Sequence, residues 1–237
     1  MTAAKEQKQP GALVWRYSDD PAVLEEERRR SSGWRPDNLR KGFTPGTVID
    51  IGAAHGTPSL YEAFPDSYHV LVEPLAEYEE SLRRWSSRIK GEYLLVAIGE
   101  EEGTLTINVD PEKLWRSSVL EPLHPSPGDA QREISVTTLD TLRKRGSWQP
   151  PFGLKIDTEG FEHKVILGAK ELLKETQFVI AEVSVAQRHK GGYSFAEFIS
   201  LMDSLGFAVC DILDGMKPWQ AGQVVFVDAL FERVRPA

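Results

Sequence analysis

From Thr47 to Leu205 the sequence alternates short apolar, β-branched runs with longer stretches of mixed polarity. VIDI (48–51) precedes a predicted helix near Pro58–Phe64, YHVLVEP (68–74) precedes one over Leu75–Arg88, and EYLLVAI (92–98) follows as another strand. FGLKID (152–157) leads into a helix over Glu162–Lys174, and QFVIAEV (177–183) into one over Phe195–Leu205. Strands that are apolar on both faces and separated by helices hide their surfaces in a parallel sheet covered on both sides. The end of the chain breaks this rhythm. GFAVCDILDG (206–215) and QVVFVDALFERV (223–234) have no helix between them, so they are expected to pair antiparallel.

A second interruption spans Glu100–Pro151. GTLTINV (103–109) and EISVTTLDTL (133–142) read as extra strands, and the aperiodic WRSSVLEPLHPSPGDA (115–130) lies between them. A loop of that length in a compact domain is functional or disordered. The expected organisation is one domain over residues 43–237, with a loop inserted at about 110–130, and an N-terminal helical extension over 1–42. Asp19-Asp20-Pro21 reads as the start of a helix over Ala22–Ser31, and Trp34–Pro45 as an irregular lead-in. The extension would serve as a lid or as the arm of a homodimer.

Composition narrows the class. The formal charge of -8 argues against a nucleic-acid partner, which usually meets a basic face. No run approaches the ~18 apolar residues of a membrane span. MTAAKEQKQP lacks the apolar core of a secretory signal, so a cytoplasmic protein is expected. The single cysteine, Cys210, excludes an intrachain disulfide and a cysteine-based zinc site. Its place in Phe207–Leu213 predicts a buried filler.

Two stretches carry the chemistry. In TVIDIGAAHG (47–56) a strand ends in small residues, where glycine lets the chain turn and a ligand approach the backbone. Gly52, Ala53 and Gly56 are expected to floor a cofactor site, with Asp50 suited to a cationic amine. Ala54 stands where the dinucleotide fingerprint needs glycine, and Thr57-Pro58 removes an amide from the helix start. Glu73 ends the next strand, where a carboxylate accepts hydrogen bonds from both ribose hydroxyls of a nucleoside. Together these favour an adenosyl cofactor such as S-adenosylmethionine, with Ala97 a candidate neighbour of its adenine.

In LKIDTEGFEHKVILGA (154–169), charges crowd the end of a central strand. Asp157 is the first candidate for a general base, with His55 and His189 behind it. Glu162 reads as a helix-capping acid. Glu159 and Glu182 are expected to contact the substrate, and Trp115 to stack on a ring. A divalent metal on Asp157, Glu159 and Glu182 is a less favoured reading of the same acids. His163 is a weaker candidate, and His69 and His124 are read as structural or surface residues.

VIDIGAAHG (48–56), VLVEP (70–74), AIGEEEGTLTI (97–107), ISVTTLD (134–140), LKIDTEGFEHKVILGA (154–169) and FVIAEV (178–183), in that order, resemble the FkbM-type family of S-adenosylmethionine-dependent methyltransferases. The glycine loop departs from many relatives in carrying His55 and Thr57-Pro58. The resemblance implies an α/β, class I methyltransferase Rossmann-like fold, with a mostly parallel sheet, a C-terminal antiparallel strand pair and helices on both faces. It implies methyl transfer, usually to oxygen, by direct in-line displacement. Asp50, Gly52, Gly56 and Glu73 would hold the cofactor, and Asp157 and Glu159 would lie in the catalytic pocket. Acceptors in such a family include sugars, polyketides and other secondary metabolites, as in natural-product biosynthesis. Two other readings remain open: a non-catalytic cofactor-binding subunit of a biosynthetic complex, and a dinucleotide-dependent oxidoreductase. The second accounts for Glu73 but not for Ala54 or the terminal strand pair.

Overall fold

The computed structural model describes residues 34–125, 128–216 and 224–234. Its strands in chain order are β1 (Thr47–Ile51), β2 (Tyr68–Val72), β3 (Gly91–Leu94), β4 (Ala97–Ile98), β5 (Gly103–Val109), β6 (Ala130–Thr137), β7 (Phe152–Ile156), β8 (Thr176–Ser184), β9 (Phe207–Met216) and β10 (Phe226–Arg233). Its helices are α1 (Pro36–Arg40), α2 (Pro58–Ala63), α3 (Glu79–Ser86), α4 (Leu139–Arg145), α5 (Glu162–Leu167), α6 (Lys170–Leu173) and α7 (Phe195–Ser204).

The main sheet has the order β3-β2-β1-β7-β8-β10-β9. Strand β1 is flanked by β2 and β7, both parallel to it, so the chain leaves β1 to one side and later returns on the other. That reversal opens a crevice at the carboxyl ends of the strands. The terminal β10 runs antiparallel between β8 and β9, as the helix-free connection predicts.

Alternation along each strand explains why both faces are apolar. Ile49, Val70, Val72, Val179 and Ala181 belong to one core, packed with residues of α4 to α7. Val48, Leu71, Phe178 and Ile180 belong to a second core, packed with Leu39 of α1, Leu60 and Tyr61 of α2 and Leu82 of α3. Successive side chains of a strand point to opposite faces, so a run buried on both sides must be apolar throughout.

Several expected elements divide. EYLLVAI is two strands: β3 closes the main sheet, while β4 pairs with β6 in a separate sheet of order β4-β6-β5. EISVTTLDTL stays extended only to Thr137; the Thr138 side chain then accepts a hydrogen bond from the Thr141 N–H and starts α4. The predicted helix over Glu162–Lys174 breaks at Gly168-Ala169. A Cβ on Gly168 would lie 2.0 Å from the Gly99 carbonyl oxygen, so the chain is pinned there. The Asp140 carboxylate accepts from the N–H groups of Glu171 and Leu172 and caps α6. The helix expected over Leu75–Arg88 begins as a 3-10 turn, Ala76–Tyr78, before α3.

The expected lead-in over Trp34–Pro45 contains helix α1, and Leu39 is fully buried against the second core. The expected helix over Ala22–Ser31 lies outside the described residues. Cys210 is exposed, not buried filler: β9 is the edge strand of the main sheet, and Val209 and Ile212 beside it are exposed as well. Among the described residues no helix is long and apolar enough to cross a membrane.

Candidate active site

At the carboxyl edge of β1, β2 and β7 lies a cavity of about 260 Å³, with Gly52, Glu73, Ala97, Asp157, Glu159 and Glu182 in its lining. The insertion supplies another wall: Ile107 of β5, Ile134 of β6, and Leu114, Trp115 and Val119 between them also line it. The aperiodic loop is therefore part of the site. It is tied down where the Ser118 hydroxyl donates to the Glu159 carbonyl at 2.8 Å.

Gly52 adopts φ 72°, and a Cβ there would sit 1.7 Å from the Asp157 carbonyl oxygen. Glycine is thus required because the chain leaving β7 crosses the loop, a protein contact beside its place in the cavity lining. Beside it, the Glu73 carboxylate accepts from the Ala54 N–H at 3.1 Å and from the Leu75 N–H at 3.0 Å. Burial pushes the Glu73 carboxyl up to about 7, against the pull of those two hydrogen bonds. One N–H on each oxygen leaves further acceptor capacity on both.

Asp50 does not line the cavity. It shares a strand face with Val48, so it points at α2 instead of past the strand end. There it accepts from the Tyr61 hydroxyl at 2.6 Å and lies 3.4 Å from the Lys155 ammonium. Lys155 also lies 3.3 Å from Asp157 and donates to the Gly52 carbonyl at 3.0 Å. Burial opposes its charge, but Asp157 and Asp50 outweigh burial and its pKa is raised. Ala53, His55 and Gly56 are likewise absent from the lining. Gly56 makes room for Trp85 of α3: a Cβ would lie 2.3 Å from the Trp85 Nε1, which donates to the His55 carbonyl. His55 is exposed, with Nδ1 3.1 Å from the Ser81 hydroxyl.

The acids after β7 and on β8 do converge. Asp157, Glu159 and Glu182 each place an oxygen within 4.8 Å of the others. Arg188 reaches in behind them, 2.8 Å from Glu159 and 2.5 Å from Glu182. Burial raises both carboxyls, and Arg188 only partly restores their charge. Glu162 is a buried strut, more than the helix-capping acid expected. It accepts from the N–H groups of Thr158 and Gly160 and from the Tyr193 hydroxyl at 2.6 Å. The turn carrying Thr158 and Glu159 is thereby fixed from below, with Glu159 itself at φ 52°. Tyr193→Phe would leave one oxygen of a buried carboxylate without its donor, at a cost of about 1–3 kcal/mol in denaturant unfolding. Wild-type stability in that variant would remove Glu162 from its role as strut.

His189 lies outside the lining, buried beneath Gly160 and bridged in β fashion to Pro122. Burial, with Arg188 and Arg116 nearby, lowers its pKa to about 4. His69 is structural, its Nε2 2.9 Å from the Phe64 carbonyl, and His124 is exposed. Tyr78, Phe161 and Phe226 line the cavity and drew no attention in the sequence. Tyr78 and Phe161 lie within six residues of Glu73 and Asp157, and that proximity was the available signal. Phe226 had none, because only strand pairing brings it to the site.

A doubly covered sheet of this order, with a cleft at its switch point, is the class I methyltransferase architecture. The sequence over residues 50–209 matches the family described as the methyltransferase FkbM domain, and the chain belongs to that family. Membership makes it a methyltransferase, with S-adenosylmethionine as the cofactor. No curated protein matches the sequence. Among solved structures, the chain is similar to the Burkholderia thailandensis 1,6-didemethyltoxoflavin-N1-methyltransferase, with 13% identity, TM-score 0.44, and 91% of this chain and 82% of that one covered. The magnesium protoporphyrin IX methyltransferase of Synechocystis PCC 6803 gives 8% identity, TM-score 0.46, and coverage of 92% and 86%. The precorrin-6y C5,15-methyltransferase of Geobacter metallireducens gives 11% identity, TM-score 0.41, and coverage of 87% and 85%.

Proposed function

We propose that the protein transfers a methyl group to a hydroxyl oxygen of a small-molecule acceptor. The observation that carries this reading is one cavity lined by both a buried strand-end acid, Glu73, and a partly exposed acid, Asp157, held by a buried lysine. The residues fit the cofactor: Glu73 keeps acceptor capacity for a ribose diol, and Val72, Ala97 and Ile98 offer apolar wall to an adenine. S-adenosylmethionine supplies an electrophilic methyl on a sulfonium. The chain's own task is to hold the acceptor hydroxyl in line with it, so most of the rate enhancement comes from proximity and orientation. Asp157 accepts the hydroxyl proton on a carboxylate oxygen as the new carbon–oxygen bond forms. Lys155 holds that carboxylate in place. His55 and His189 do not line the cavity, and the low pKa of His189 makes it a weak base.

Calorimetric titration with S-adenosylhomocysteine and, separately, NAD tests the cofactor half. S-adenosylhomocysteine alone should bind. Binding of NAD alone would return the chain to the oxidoreductase reading. Methyl-labelled cofactor and mass spectrometry of products from an acceptor panel test the chemistry. Product carrying the label on nitrogen or carbon would refute transfer to oxygen.

A further inference from the structure

The carboxylic acids on the cavity wall have no basic side chain beside them in its lining. Among the described residues its lining holds four carboxylates, Glu73, Asp157, Glu159 and Glu182, and no lysine, arginine or histidine. Among the described residues, the cations behind the wall are shared between acids. Arg188 serves Glu159 and Glu182 together, and Lys155 serves Asp50 and Asp157 together. Arg116 is 3.9 Å from Asp110, and Asp228 and Glu162 add further acid close by.

The rest of the wall is aromatic. Tyr78, Trp115, Phe161 and Phe226 line the same cavity, and Trp115 is 59% exposed. Carboxylates flanked by aromatic faces suit an organic cation, which gains from ring quadrupoles as well as from charge. They do not suit an anion, which would be desolvated against like charge.

Resting on the methyltransferase reading, we propose that the acceptor is an amino alcohol in the broad sense: a hydroxyl-bearing molecule with a basic amine that is protonated at neutral pH and meets the Glu159 and Glu182 carboxylates, its hydroxyl reaching Asp157. Phosphorylated and carboxylated acceptors are excluded by the same wall. An ammonium donates at about 2.8 Å in three directions, so one ammonium can serve oxygens spread over the observed separation. A divalent metal is less well served. Arg188 already brings a cation to two of the three acids, leaving less uncompensated charge than a doubly charged ion requires. Burial raises the pKa of the Glu159 and Glu182 carboxyls, with Asp157, Glu162, Arg116 and Arg188 facing them. An arriving cation therefore drives a proton off, and its affinity rises with pH.

The test uses the full chain saturated with S-adenosylhomocysteine, whose own binding reports on the methyltransferase reading separately. Two pairs of probes are titrated: tyramine against 4-hydroxyphenylacetate, and glucosamine against glucose 6-phosphate. The amine of at least one pair should bind about tenfold or more tightly than its anionic partner. Its binding enthalpy should vary with the ionisation enthalpy of the buffer, as proton release requires. Glu159→Gln combined with Glu182→Gln should erase the preference, while the wild-type comparison stands even if that variant fails to fold. Equal affinity within both pairs, preference for the anions, or no binding of any probe to the loaded protein would overturn the proposal. Binding of Mg²⁺ alone at these acids, seen by the same calorimetry, would overturn it in favour of a metal site. Failure of S-adenosylhomocysteine to bind would count against the methyltransferase reading instead.

Discussion

Asp157→Asn is expected to lower kcat by about 10²–10⁴-fold with the true acceptor, while leaving the affinity for S-adenosylhomocysteine unchanged. The asparagine keeps the shape of the side chain and loses its basicity. Its amide can still accept a hydrogen bond from the acceptor hydroxyl but cannot take the proton. Lys155 would retain Asp50 and the Gly52 carbonyl as partners, so the floor of the site should survive. Thermal unfolding of the variant checks this: a melting temperature near wild type assigns the loss to chemistry. If turnover stays near normal in a folded variant, Asp157 is not the base. Glu159, which Arg188 restrains, would then be the next residue to test.

The parts of this site that are legible in the sequence are those set by one strand and the turn after it. Glu73 follows β2 directly, and its neighbours fix its orientation through the Ala54 and Leu75 N–H groups. Asp157, Glu159 and Glu182 follow β7 and lie on β8, and parallel pairing brings those ends to one edge. The main sheet was legible for the same reason, since each strand carries its burial pattern within itself. Asp50 shows the limit. Its position near a strand end suggested a ligand contact, yet the two-residue period turns it inward, where β1–β7 register sets it against Lys155. Nothing local in VIDI announces that partner, a hundred residues later. The glycines have a further reason that is not local: the loop needs Gly52 and Gly56 to admit the Asp157 carbonyl and Trp85, contacts that exist only in the folded chain. The split of EYLLVAI between two sheets depends on β6, which arrives after the long loop.

Glu73→Ala should weaken S-adenosylhomocysteine binding by about 100-fold, the equivalent of two lost hydrogen bonds to a charged group. Two effects combine in that variant. The ribose diol loses its acceptor, and the Ala54 and Leu75 N–H groups lose theirs, so the glycine loop and the turn after β2 are no longer tied together. Glu73→Gln separates the effects, because its amide oxygen can hold one of the two N–H groups while offering one fewer acceptor to the sugar. An intermediate loss in Glu73→Gln, with unchanged thermal stability, would place the larger share in the ribose contact. Wild-type binding in both variants would remove Glu73 from the cofactor site. The pH dependence supplies an independent check. Burial raises the Glu73 carboxyl to about 7 in the free protein, with Lys155 and Asp157 as its nearest charged influences. Below that pH the group is protonated and one oxygen becomes a donor. Ribose hydroxyls that donate to the carboxylate favour its ionised form, so affinity should climb as pH rises through about 7 and level off above it. That rise should be absent from Glu73→Gln, which has no proton to lose at this position. A rise of the same size in Glu73→Gln would assign the titration to another group of the acidic wall.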